Sequence, residues 1–302
     1  MKASPSLVEH LSPAAEKLLD LSDDERIERI LGERWIGYTR AIKITKRLDA
    51  LLKYPKTHRM PNLLIVGRTN NGKTMIVSRF ASKHPASDNM EGDDVDVPVL
   101  MIQAPPVPDE NRFYNIILDR LFAPYKPHDH VSKKQIQVIS LLKRVGLKML
   151  IIDEIQHILA GHLDKQRQFL NVIKYIGNEL KVPIVGVGTK EAIRAIQNDP
   201  QLANRFEPEP LPKWQMDEEY LKLLMSFERM LPLRKPSNLI ETSMATKILS
   251  LSEGTIGEMS MLLRRAAVTA IETGSECINL KTIDAIDWSI PSQRRLSVEN
   301  IV

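Results

Sequence analysis

The sequence predicts a three-layer α/β domain built on a parallel sheet, with a helical extension before it and a small all-helical domain after it. Three observations carry that prediction. The 302 residues amount to two domains at about 150 residues each. Between Pro61 and Pro212 short apolar runs alternate with amphipathic stretches, and beyond Pro212 the periodicity is helical. A content of 43% hydrophobic and 26% charged residues excludes a disordered or fibrous chain. The boundaries expected are 1–58 for the helical N-terminal extension, 59–212 for the α/β domain, 213–290 for the helical domain and 291–302 for a flexible tail.

Taken in order, Ser22 and Glu25 form the pattern of a capping box for a helix through Leu31. A second helix is expected over 38–53, with Ile44, Leu48, Leu51 and Leu52 on one face, ended by Tyr54-Pro55. Residues 62–66, 97–103, 147–152 and 182–187 read as buried strands, and 206–211 as a short fifth. Amphipathic segments at 73–84, 110–122, 134–145 and 163–180 lie between them, the arrangement of a parallel sheet covered on both faces. Helices follow at 216–230, 238–252, 257–273 and 280–288.

Aromatic residues make up 5% of the chain, so the core rests on Leu, Ile and Val. No apolar run reaches membrane-spanning length, and the first ten residues lack the apolar stretch of a secretion signal. The single cysteine, Cys277, cannot form an internal disulfide or build a zinc site alone. These features predict a soluble, cytoplasmic protein with no membrane partner. The net charge of +4 is too small to name a nucleic-acid partner. Its distribution says more: 40–59 holds seven basic residues and one acid, 126–148 six and one, and 88–96 five acids and no base. Basic patches of this kind attract phosphate backbones; solvated helix faces are the plainer reading.

The strand 62–66 runs directly into Gly67-Arg68-Thr69-Asn70-Asn71-Gly72-Lys73-Thr74, and a helical segment follows. This is the G-x-x-x-x-G-K-T phosphate loop in its confirming context of strand, loop and helix. Its backbone N–H groups and the helix N-terminus favour phosphate oxygens. Lys73 is placed for the β and γ phosphates of ATP, and Thr74 for Mg²⁺. Eighty residues after Lys73, a strand ends in Asp153-Glu154. Ligands of open α/β sheets bind at that strand edge. Asp153 is expected to hold Mg²⁺ and Glu154 to act as general base toward the attacking water, so the chain is read as a nucleotide hydrolase. Thr189 closes the next strand, either sensing the γ phosphate or capping the helix that follows. Arg205 precedes the fifth strand in a loop, as a transition-state clamp on a neighbouring subunit's nucleotide or as a loop salt bridge.

Phosphate loop, Asp-Glu strand, strand-end Thr189, Asn204-Arg205-Phe206 and a helical domain together resemble an AAA+ ATPase. More narrowly, the chain resembles the TniB family, ATPase subunits of transposons that use a separate DDE transposase. The resemblance rests on Arg34-Trp-Ile-Gly-Tyr38, the stretch 59–74, Leu150-Ile-Ile-Asp-Glu-Ile-Gln-His157, the stretch 183–189 and Ala203-Asn-Arg-Phe206. It implies an ATP-dependent protein that assembles as a ring or helical filament on double-stranded DNA and recruits a DDE transposase without cutting DNA. A target-selection accessory protein is a further partner it suggests. It also implies that Thr189 is the first sensor and Arg205 the finger acting in trans. One departure stands out: Gly254-Thr-Ile-Gly257-Glu258 has glycine where a second-sensor arginine would open the lid helix, and Arg264 and Arg265 lie two turns later.

Among weaker features, Trp35 and Tyr38 offer stacking faces for a base or ordinary core packing. His128 and His130 make a close pair without a third metal ligand. Met244, Met259 and Met261 read as core filler. Arg112, Lys126, Lys133 and Lys134 are nominated as DNA contacts because they flank the loops after the second strand, the helix 40–59 being equally basic. A loader or remodeller of a protein client is the competing function. A small-metabolite kinase sharing the phosphate loop is a weaker third.

Overall fold

The structure is a computed structural model that describes residues 9–88 and 95–294. The chain divides into two units, Arg40–Pro212 and Met1–Thr39 with Lys213–Val302.

In Arg40–Pro212 five strands form one parallel sheet: β1 Asn62–Gly67, β2 Val99–Gln103, β3 Met149–Asp153, β4 Ile184–Gly188 and β5 Phe206–Leu211. Their order is β2-β3-β4-β1-β5, with every pairing parallel. Every residue of β3 and β4 is buried, as a sheet covered on both faces requires. Helices Lys73–Ser82, Glu110–Arg120, Val131–Arg144, Leu163–Leu180 and Glu191–Gln197 lie between the strands in sequence. Phe113, Ile117, Ile152, Phe169 and Ile173 belong to one core cluster, with Phe113 set edge-on to Phe169 at 5.1 Å between ring centroids.

β5 carries two prolines, which a sheet tolerates at an edge. The Asn62 N–H donates to the Arg205 carbonyl at 2.9 Å, so residues of that parity face β1. Pro208 and Pro210 have the opposite parity and face outward, where no N–H is needed and their rings discourage further pairing. Arg47, on the helix Thr39–Leu52, forms ion pairs with Glu207 and Glu209 of this strand. That helix therefore belongs with the sheet. The expected 1–58 extension is divided near residue 40, because its second helix is tied to β5.

The earlier part joins the helical unit. Helix Asp23–Leu31 begins at the capping box, the Ser22 side chain accepting from the Glu25 N–H and the Glu25 carboxylate from the Ser22 N–H at 3.0 Å. It packs with Glu218–Glu228, Thr242–Ser252 and Ile256–Glu272 through a core that includes Ile30, Tyr220, Leu224, Ile248 and Leu263. Met244 and Met259 are buried in that core, while Met261 is half-buried. Arg26 is fully buried and donates to both Glu276 oxygens at 2.9 and 2.6 Å and to the Pro232 carbonyl at 2.8 Å. Residues 291–294 are helical, with Arg294 paired to Glu258 and stacked over Trp288 at 5.1 Å. The expected flexible tail thus begins in an anchored turn, and its residues 295–302 lie outside the described residues. So do residues 89–94 of the acidic run. Among the described residues no helix is long and apolar enough to cross a membrane.

Candidate functional site

The strand order reverses between β1 and β4. From β1 the chain runs out to β2 and returns through β3, and from β4 it crosses to β5 on the other side. The crevice at the C-terminal edge of such a reversal is where open α/β sheets bind ligands, and the phosphate loop, Asp153, Glu154 and Thr189 all lie at that edge.

The loop 67–72 leaves β1 and becomes the N-terminus of helix Lys73–Ser82, capped by Gly72 at φ 79°, a left-handed backbone that glycine adopts without strain. Asn70 is also left-handed, at φ 59°. Arg68, Thr69 and Asn70 are exposed. Asn71 is buried and its amide donates to the carbonyls of Leu211 at 2.9 Å and Pro212 at 3.1 Å, fastening the loop to the end of β5. The Lys73 ammonium is buried and donates to the Arg68 carbonyl at 2.7 Å, inside the curl of the loop. Burial holds it below the ordinary lysine range, while the Glu154 and Asp153 carboxylates pull it upward. The electrostatics of the loop and the carboxylate pair are therefore coupled.

Thr74 donates its hydroxyl to Asp153 at 2.7 Å. Asp153 is buried at the end of β3, and its other oxygen accepts the Glu154 N–H at 2.8 Å. Glu154 takes a left-handed backbone, φ 53° and ψ 37°, and turns the chain into the 3-10 helix Ile155–Ala160. Lys73, Thr74, Asp153 and Glu154, nominated across 80 residues of sequence, thus converge at one edge of the sheet.

Thr189 follows β4, between β1 and β3 in the sheet order. Its hydroxyl donates to Glu191, in the first turn of the next helix. That helix takes Lys190 as its N-cap without a side-chain capping hydrogen bond, so this contact is not the cap that the sequence offered as the alternative to sensing. The Thr189 N–H donates instead to Gln156, whose amide also holds Glu154. The sequence carries Gln156 only as part of the stretch Leu150–His157, with no feature there that assigns it a role.

Arg205 stands at the opposite edge, before β5, and donates to Asn178 at 2.6 Å. A six-residue strand spans about 20 Å, so Arg205 and the phosphate loop lie at opposite ends of the sheet. The arginine opens on a cleft lined by Tyr54, Arg59, Gln201 and Asn204, with no carboxylate among the lining residues.

The nominated DNA contacts separate. Arg112 and Lys126 are exposed. Lys133 is paired with Asp129 at 2.7 Å, a hydrogen bond that holds the Asp129 carboxyl below its ordinary range. Lys134 corrects the expectation: it is fully buried, its ammonium donating to Asn111 at 2.8 Å and the Pro127 carbonyl at 3.1 Å beneath the Tyr125 ring. An ammonium fully buried inside the fold exposes no donor to a phosphate.

Within the helical unit, Arg264 donates to the Leu31 carbonyl and Arg265 to that of Asp287. Tyr38 packs edge-on against Trp214 at 5.2 Å, as its core reading has it. His130 accepts from the Ser132 N–H at 3.3 Å, at the start of helix Val131–Arg144.

The family model for the bacterial TniB protein matches residues 26–216. The chain belongs to the TniB family. That family comprises transposition-associated AAA+ ATPases, and the fold agrees. Aeropyrum pernix ORC2, in its ADPNP-ADP complexes, superposes with a TM-score of 0.59 at 15% identity, over 84% of this TniB-family chain and 70% of its own. Aeropyrum pernix ORC1 in complex with DNA gives 0.58 at 17% identity, over 86% and 68%. Cdc6p from Pyrobaculum aerophilum gives 0.58 at 15% identity, over 85% and 68%. At these identities the likeness is one of fold. No curated protein sequence matches the chain. This TniB-family chain is an AAA+ ATPase whose phosphate loop and carboxylate pair share one end of a parallel sheet.

Proposed function

We propose that the chain binds and hydrolyses ATP at the phosphate loop, that ATP-loaded copies assemble on duplex DNA, and that the assembly recruits a DDE transposase without itself cutting DNA. The observation that carries this reading is the separation of the site into two halves. Lys73, Thr74, Asp153 and Glu154 meet at one sheet edge, and Arg205 stands at the other beside a cleft free of carboxylates. An arginine that cannot reach its own nucleotide is suited to a neighbour's, and site completion by a second copy couples hydrolysis to assembly.

In this mechanism the loop N–H groups and Lys73 hold the β and γ phosphates. Glu154 takes a proton from the water that attacks the γ phosphorus. The bond to the β-phosphate oxygen breaks, and Arg205 of the next copy offsets the charge that develops. The Thr74 hydroxyl and Asp153 carboxylate are hard oxygen donors of the kind Mg²⁺ takes, and the ion when bound neutralises phosphate charge. Thr189 is assigned to γ-phosphate sensing, which requires its hydroxyl to leave Glu191 when nucleotide binds. Support for the DNA partner comes from the family's association with transposition and from the exposed Arg112 and Lys126.

The test is Glu154→Gln, which keeps the side-chain shape and removes the base. ATP should bind and remain, and the variant should persist on duplex DNA in plain ATP while the unaltered protein turns over and releases. Rapid dissociation of a non-hydrolysing variant would overturn the coupling of nucleotide state to DNA grip. Stimulation of the ATPase by a protein client but not by DNA would favour a remodeller instead.

A further inference from the structure

We propose that Gln156 is a positioning residue for Glu154, linking the base to the end of β4 so that the carboxylate follows the strand lying between the phosphate loop and β3. The proposal rests on the reading of Glu154 as the base.

Two hydrogen bonds and one steric allowance define the link. The Gln156 Nε2 donates to the Glu154 carboxylate, and its Oε1 accepts the Thr189 N–H at 3.2 Å. A carboxylate requires a donor and an N–H requires an acceptor, so only one orientation of the amide serves both partners. The steric allowance is at Gly188. A Cβ on Gly188 would stand 2.2 Å from the Gln156 Oε1, closer than atoms can approach, so only glycine at the end of β4 leaves room for the amide.

The backbone delivers Gln156 to this gap. The left-handed Glu154 breaks the line of β3, a conformation that a non-glycine residue adopts only where its surroundings hold it. Ile155 and Ile158 are buried and anchor the short helix that follows, leaving Gln156 to turn back beneath β4. β3 and β4 are direct neighbours, with Ile152 opposite Gly186, so a five-atom amide side chain suffices to join their ends. The consequence is mechanical. The Thr189 backbone cannot move relative to β3 without loading the amide that holds the carboxylate. Thr189 borders the crevice between β1 and β4, so a γ phosphate that displaces the end of β4 also moves the base.

A purely structural role, satisfying the Thr189 N–H, would affect stability and leave the rate alone. Gln156→Leu removes both hydrogen bonds at similar volume. We expect kcat to fall about 10–100-fold, the scale of a base misplaced by about an ångström. KM for ATP and affinity for a non-hydrolysed ATP analogue should stay nearly unchanged. Gly188→Ala should reproduce the loss by evicting the amide, and the double variant should be no slower than the slower single variant, since both break one link. An unchanged kcat in Gln156→Leu would overturn the proposal. So would losses that multiply in the double variant, or a fall in melting temperature and analogue affinity large enough to account for the rate. Glu154→Gln is assayed alongside: retained hydrolysis there would defeat the reading of Glu154 itself, whereas an inactive Glu154→Gln beside a fully active Gln156→Leu would defeat only the positioning role.

Discussion

The phosphate site and the helical unit bury charge for opposite purposes. In Arg40–Pro212 the buried Lys73 and Asp153 lie at the sheet edge where a ligand would bind, Lys73 held by the Arg68 carbonyl and Asp153 by the Thr74 hydroxyl and the Glu154 N–H. In the helical unit, fully buried Arg26 is saturated: it reaches Asp23, the Pro232 carbonyl and Glu276, the last 250 residues away in sequence. Burial alone therefore does not mark a functional group. What distinguishes the two is whether the buried charge still has a direction in which to bind something else.

The largest expected effect that tests this contrast is at Arg205, whose present partner is a neutral amide. Arg205→Ala should cost roughly 10³–10⁵ in hydrolysis rate with ATP affinity preserved. Mixing it with Lys73→Ala chains should restore part of the activity, because one copy supplies the arginine and the other the phosphate loop. Steady-state ATPase across mixing ratios measures this, and no recovery with a lowered melting temperature would make Arg205 a structural residue like Arg26.

Arg26→Met should act on stability alone. Removing one partner of a buried pair costs about 3–5 kcal/mol, read as a shift in the urea midpoint, while ATP affinity of the folded protein is unchanged. The same pair predicts a pH dependence. Burial raises the Glu276 carboxyl, but the Arg26 hydrogen bonds and the Arg234 contact outweigh it and leave it below the ordinary 4.5. A carboxyl depressed in the folded state stabilises above its unfolded value, and that stabilisation disappears as pH falls through the folded one. Thermal unfolding should therefore show a loss below about pH 4.5 that is smaller in Arg26→Met.

Lys134 and its exposed neighbours give the smallest and sharpest version of the contrast. Lys134→Ala should destabilise by about 1–3 kcal/mol, leaving Asn111 and the Pro127 carbonyl without their donor, with no change in the salt dependence of DNA binding. Arg112→Ala and Lys126→Ala should leave stability alone and each lower the salt slope by about 0.9. Titrations at several salt concentrations check both, and an unchanged slope for the exposed pair would move the DNA contact to the basic helix Thr39–Leu52.

How much of this was legible in the chain follows from the range of each interaction. The strand–loop–helix at 62–82 is written within one stretch of sequence: an apolar run, two glycines, a lysine and an amphipathic segment. The apolar run ending in Asp153-Glu154 is local in the same way, and so is the Ser22–Glu25 cap, because each depends on residues a turn or a strand apart. Local pattern thus carries the alternating α/β layers, the phosphate loop and the carboxylate pair. Tertiary packing set the rest. It divided the N-terminal helices between two units through Arg47 and Arg26, withdrew Lys134 into the core, put Arg205 at the far edge of the sheet from the loop, and brought Gln156 against Gly188. Each of those outcomes depends on which side chains meet across distant segments, and a hydrogen bond between residues 26 and 276, or 156 and 189, leaves no periodicity or spacing in the chain from which to read it.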